Sequence, residues 1–256
     1  MDEPMITAHS GCEGTERDSM ESIDKALELG AEAIEVDVRV DQAGTLRISH
    51  NAVSQEEYLE KPTLAEVLYR IRGTGLAVNF DLKEQQTLYK VLDETAGRGF
   101  PRERLIFSGC TSPEQLARDP LLTEKAQFFL NLEEVLKFVY LHFSPDFEFS
   151  RFTELMTESW KVVGKDGNDI PEKAADAAVQ LYGQLRASAA NLPKGMVGSR
   201  MTEKLKQAGV PLSVWTVDEA DLVQQCLEYG VHNITARRVE QAMSVRAAYK
   251  KGQEPA

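Results

Sequence analysis

A single (β/α)₈ barrel is the fold this sequence predicts, and three observations predict it. The chain has 256 residues with 42% hydrophobic content, enough to bury a substantial core and a normal size for an α/β barrel of one domain spanning residues 1–256. Short apolar or β-branched runs alternate with amphipathic stretches from end to end, as parallel strands joined by helical crossovers do. Polar residues collect at the ends of those runs, where a barrel of this type assembles its site.

Eight runs read as barrel strands: Met5 to His9, Ala33 to Val40, Leu76 to Lys83, Arg104 to Ser108, Ala126 to Asn131, Arg186 to Leu192, Leu212 to Val217 and Asn233 to Thr235. Between the first two, Asp18 to Leu29 sets Met20, Ile23, Ala26 and Leu27 on one helical face and stops at Gly30, a helix-ending glycine. The seventh unit repeats the grammar: PLSVWTV precedes DEADLVQQCLEYG, with Asp218 as the expected N-cap and Gly230 as the stop. Leu46 to His50, after a turn at Asp41 to Gly44, reads as a second part of the second strand. The longest interval, Asn131 to Arg186, predicts extra helices between the fifth and sixth strands. LEEVLKFVYLHF, FTELMTESWKVV and EKAADAAVQLYGQL each carry helical spacing, separated by breaks at Pro145 and at Lys165 to Pro171.

Composition narrows the function. A formal charge of -12 argues against nucleic acid as a partner, because an acidic surface repels the phosphate backbone. A phosphorylated small molecule then needs a local cation. Cys12, Cys110 and Cys226 are odd in number and widely spaced, which suggests neither a disulfide framework nor a thiolate metal site. No apolar run reaches the length of a membrane span, and the first residues carry no signal-peptide pattern. The expectation is a soluble cytoplasmic protein; the sequence leaves its oligomeric state open.

The strand-ending polar residues carry the chemistry. Glu35 and Asp37 sit two apart in AIEVDVRV, so both point to one face of the strand. Two carboxylates facing the barrel interior repel unless a cation lies between them, and a hard metal such as Mg²⁺ or Ca²⁺ suits oxygen ligands. Asp81 in AVNFDLK ends the next strand and offers a third oxygen, with Lys83 on its face. The bland alternative is a solvated Glu-x-Asp pair neutralised by Arg or Lys. His9 and His50 weigh against it. They are two of only four histidines, and both fall where strands deliver side chains to one mouth. A histidine pair flanking a phosphate can serve as general base and general acid. His142 and His232 are read as structural, as are the three cysteines.

Taken in order, these residues resemble a known family. AHSGCEGTERDSMESIDKALELGAEAIEVDVRVDQAGTLRISH is similar to the signature of the glycerophosphodiester phosphodiesterases, and PTLAEVL, VNFDLK and PLSVWTVDE resemble its later blocks. The resemblance implies metal-assisted cleavage of a small-molecule phosphodiester. It makes His9 and His50 the catalytic pair and Glu35, Asp37 and Asp81 the ligands of a divalent metal, Mg²⁺ or Ca²⁺. Lys83 and position 10 become phosphate contacts, and Trp215 a wall of the pocket.

The chain departs from the family pattern in four places. Ser10 replaces the usual Arg, removing a bidentate clamp that a hydroxyl cannot reproduce, and Arg17 is another base able to reach in. Asp81 stands where Glu is common. Asn51 replaces the usual Asp, and the insertion common after His50 is largely missing. Two alternatives stay open on these grounds: a related phosphodiesterase acting on lysophospholipids or cyclic diesters, and a silent barrel that binds metal or phosphate without turnover.

Overall fold

The computed structural model describes residues 3–143 and 170–253; the expected helix FTELMTESWKVV lies outside them. Among the described residues nine strands form one sheet: β1 (Met5–Ala8), β2 (Ala33–Val40), β3 (Leu46–Ile48), β4 (Ala77–Leu82), β5 (Leu105–Gly109), β6 (Gln127–Asn131), β7 (Ala189–Pro193), β8 (Leu212–Trp215) and β9 (Asn233–Ala236). β1 pairs in parallel with both β2 and β9, so the sheet closes on itself. Every other neighbouring pair in the ring is parallel as well. The fold is therefore a (β/α)₈ barrel, with β3 as an added strand on β2. The expected extra helices after β6 are present as Leu132–Phe143 and Glu172–Gln184.

Four local expectations are corrected. The segment after Val40 does not extend the second strand; it folds back. Gly44 at φ 84 and Asp41, whose Oδ1 accepts the Thr45 N–H at 2.8 Å, make a tight turn, and β3 returns antiparallel to β2. Arg186 does not start a strand: it sits at φ 51 in the turn after the helix Glu172–Gln184, and β7 begins at Ala189. Asp218 is not a helix cap. Its Oδ1 accepts the Arg237 N–H at 2.7 Å, while the helix Ala220–Tyr229 follows Glu219. The first helix, Met20–Leu29, starts two residues later than Asp18, capped by the Ser19 side chain and ended by Gly30 at φ 71.

Burial follows strand alternation. Val36 and Val38 point outward and are 1% and 0% exposed under the surrounding helices, in the large core between sheet and helices. Inside the ring, Ala33, Ala77, Ile106, Phe129 and Ala189 form a separate small apolar plug. Above the plug lies a polar layer, joined in one chain of hydrogen bonds. Thr7 donates to Asn233, Asn233 to Ser213, Ser213 to Asn191, and Asn191 to Asn131, all at 2.7 to 2.9 Å. A buried polar layer is tolerable only when its groups are paired in this way. Upward from it, the strand ends are free to hold charge.

Candidate active site

A cleft of about 440 Å³ opens at the C-terminal ends of the strands, with His9, His50, Glu35, Asp81, Lys83 and Trp215 in its lining. Register brings the acids together. Asp37 on β2 is the partner of Asp81 on β4, and Glu35 lies one inward position below. Oxygens of Glu35, Asp37 and Asp81 all fall within 4.8 Å of one another.

Asp81 reaches this position because Gly109, at φ 69, has no side chain. A Cβ there would lie 1.9 Å from Asp81 Oδ1 and 2.4 Å from the Leu82 carbonyl. Nothing in the strand pattern singled this glycine out, since its role depends on a neighbour across the sheet.

The electrostatics of the triad are unbalanced. Burial, and then the Asp37 and Asp81 charges, push Glu35 well above the ordinary carboxylate range. Burial also raises Asp81, with Lys83 opposing and Asp37 adding to the rise. Asp37 goes the other way: burial disfavours its charge, but the Lys83 ammonium and the Arg17 guanidinium outweigh that and hold it below the usual range. Lys83 Nζ lies 2.6 Å from Asp37 Oδ1 and 2.8 Å from Asp81 Oδ2. Burial works against that ammonium, yet the two carboxylates keep it protonated above the usual lysine range. Glu35 thus carries the unrelieved repulsion. Three convergent hard oxygen donors, one of them destabilised as an anion by burial and by its two acidic neighbours, fit a divalent cation.

The histidines flank this cluster. His9 follows β1, and its Nδ1 lies 2.8 Å from the Ser10 carbonyl and 3.7 Å from Glu35 Oε2. A carbonyl can only accept, so Nδ1 carries the proton and Nε2 the lone pair. Burial pushes His9 down to about 4 despite the Ser10 carbonyl, which keeps the ring neutral at pH 7. His50 follows β3 and lies opposite, with Nδ1 at 2.8 Å from Arg17 Nη2 and 3.2 Å from Asp37 Oδ2. One nitrogen cannot accept from Arg17 and donate to Asp37 at once. The shorter distance places the lone pair toward Arg17.

Ser10 does not face the cleft. Its hydroxyl, 5% exposed as a residue, donates to Asp18 Oδ1 at 3.1 Å and accepts the Asp18 N–H at 2.8 Å. Arg17 is a cation close by: it lines the cleft and lies 3.1 Å from Asp37 Oδ2. Trp215 ends β8 and lies in the lining of the cleft.

Sequence reasoning missed Asp18, Arg39 and Glu133. Arg39 donates from Nε and Nη2 to the His50 carbonyl at 3.1 and 3.0 Å. Glu133, which accepts from Asn131 Nδ2 at 2.9 Å, ends the polar chain at the cleft wall, and burial raises it to about 7. Asp18 lies in a loop and Glu133 in a helix, away from the strand ends where the others were found; Arg39 lies near the end of β2 on the face of Glu35 and Asp37, and strand alternation could have found it.

A family model described as the glycerophosphoryl diester phosphodiesterase family matches residues 9–241. The chain belongs to that family. The match runs from His9 to beyond the last strand and takes in every acid and histidine described above, and membership supports a phosphodiesterase.

Solved structures agree on the fold of this family member. A glycerophosphodiester phosphodiesterase from Parabacteroides distasonis is 16% identical, with 97% of this chain and 99% of that one covered at a TM-score of 0.68. One from Thermotoga maritima is 17% identical, with 96% and 99% covered at 0.65. An Oleispira antarctica phosphodiesterase, solved with its product sn-glycerol-3-phosphate, is 14% identical, with 95% and 96% covered at 0.63. No curated protein matches the sequence significantly.

Proposed function

We propose that this chain is a metal-dependent phosphodiester hydrolase that cleaves glycerophosphodiesters to glycerol phosphate and an alcohol. The observation that carries this reading is the meeting of His9 and His50 across one cleft from a triad of convergent carboxylates. Glu35, Asp37 and Asp81 would hold the metal, Mg²⁺ or Ca²⁺. When bound, it neutralises phosphoryl charge and acidifies an attacking hydroxyl or water.

The chain's own residues do the rest. Lys83 and Arg17 bring two cationic groups to the same mouth and hold the non-bridging oxygens, charge that strengthens as the transition state forms. Arg17 thereby takes the role lost at position 10. His9 presents a neutral Nε2 and accepts the nucleophile's proton. When Arg17 turns to the phosphate, His50 Nδ1 takes a proton from solvent and donates it in a hydrogen bond to Asp37, and Nε2–H protonates the leaving alkoxide, which returns the ring to neutral. Trp215 walls the cleft and excludes water from the alcohol side. With a formal charge of -12, the local cations select a small diester over nucleic acid.

The test is a substrate panel: glycerophosphodiesters against a lysophospholipid, a cyclic diester and an aryl diester, with glycerol phosphate quantified. Preference for the glycerophosphodiesters is expected. Faster turnover of the lysophospholipid or cyclic diester overturns the substrate assignment, and turnover of none overturns the enzyme.

A further inference from the structure

We propose that Asp18 is a positioning residue that sets the distance between the two histidines; this rests on the phosphodiesterase reading. His9 follows β1 and His50 follows β3, and these two strands do not pair with each other. The barrel ladder therefore fixes His9 relative to β2, while His50 hangs from the hairpin strand.

One carboxylate joins the two loops. Asp18 Oδ1 accepts from the hydroxyl of Ser10, the residue after His9, at 3.1 Å. Its own N–H donates back to that hydroxyl at 2.8 Å. Asp18 Oδ2 accepts the main-chain N–H of His50 at 2.9 Å. On the other side, Arg39 holds the His50 carbonyl through two hydrogen bonds. Both polar groups of the His50 main chain are thus held by charged side chains.

Helix capping does not account for Asp18. The cap of the following helix is Ser19, whose side chain accepts the Ser22 N–H. Asp18 instead sits at φ 58 and is 7% exposed, a left-handed conformation that a non-glycine residue holds only when its surroundings impose it. It also brings another carboxylate toward Asp37, and burial first, then the Asp37 charge, disfavours ionisation of Asp18. A group that is strained, buried and repelled is a poor contributor to stability, which leaves the loop connection as its purpose. Ser10 is then the partner this connection requires, rather than a mere loss of arginine.

Three variants separate the roles. Gly adopts positive φ freely, so Asp18→Gly removes the two side-chain hydrogen bonds without backbone strain and keeps the main-chain N–H to Ser10. Asn keeps an oxygen for His50 N–H and an amide donor for the Ser10 hydroxyl. Asp18→Ala loses both side-chain bonds and is strained. For Asp18→Gly, kcat on a glycerophosphodiester should fall about 10- to 100-fold with KM within about threefold. Asp18→Asn should stay within about threefold of the parent, and Asp18→Ala should be at least as impaired as the glycine variant.

The second readout needs no activity. Amide hydrogen exchange at His50 should speed up about tenfold or more in Asp18→Gly and return toward the parent rate in Asp18→Asn. A glycine variant with kcat within about twofold of the parent, or unchanged exchange at His50, overturns the proposal. A parent protein that turns over no diester refutes the phosphodiesterase reading instead, and the exchange rates still decide whether Asp18 joins the loops.

Discussion

Glu35 concentrates the tension of the site in one side chain. Its folded-state pKa is raised by burial and by two neighbouring acids, so without metal the folded protein keeps a proton that the unfolded chain releases near the ordinary glutamate value of 4.5. By linkage its contribution to stability is then present at low pH and lost as pH rises from the unfolded value through the folded one. Glu35→Gln should therefore raise the melting temperature in chelator at pH 8 by about 2–4 °C or more, with little gain at pH 4. An equal shift at both pH values would show that Glu35 is not the strained group.

The histidines make a different prediction. His9→Ala or His50→Ala should lower turnover by about 10²- to 10⁴-fold, the range of a lost general acid or base, with metal affinity by calorimetry little changed, whereas Glu35→Ala should lose both. Activity retained in His9→Ala would remove it from the proton-transfer role. These residues were legible because strand alternation dictates which positions face inward. Asp18 was not, because its meaning comes from His50, 32 residues away in sequence.

Among the elements, β5 shows most clearly how a neighbour decides a residue's role. Gly109 stands at φ 69 against Asp81 Oδ1 and the Leu82 main chain, so Gly109→Ala meets both a disfavoured backbone and a clash it cannot relieve by turning a side chain. It should cost on the order of 1–3 kcal/mol or more in chemical denaturation and weaken metal binding by displacing Asp81. Normal metal affinity in a folded Gly109→Ala protein would mean that Asp81 does not depend on that contact.

The same dependence explains the element boundaries that sequence misplaced. Asp218 resembles a cap in DEADLVQQ, but the loop after β9 places the Arg237 N–H within 2.7 Å of it, and a tertiary partner wins over a local one. Arg186 reads as part of the run into β7, yet it occupies the left-handed turn that ends the preceding helix. The turn at Asp41 to Gly44 was visible; that it reverses the chain into a hairpin was not, because a short extended run carries no sign of its direction.

At the scale of the molecule, the barrel was the most legible feature, since eight alternating units leave few other ways to bury so many apolar strands. Less legible was the layering inside the ring. The apolar plug, the chain of Thr7, Asn233, Ser213, Asn191 and Asn131, and the charged mouth each draw single residues from many strands, and only the register stacks them. That order, from apolar base to charged rim, is what lets buried carboxylates converge without unfolding the barrel.

On the reading proposed here, the convergent carboxylates serve a metal needed to cleave a phosphodiester. The most direct measurement is release of glycerol phosphate from a glycerophosphodiester after exhaustive chelation, and again after Mg²⁺ or Ca²⁺ is restored. Activity that is lost with chelator and recovered with one of the cations is the predicted result. Hydrolysis that persists undiminished in chelator, or a barrel that binds the cation and still releases no glycerol phosphate, would contradict it.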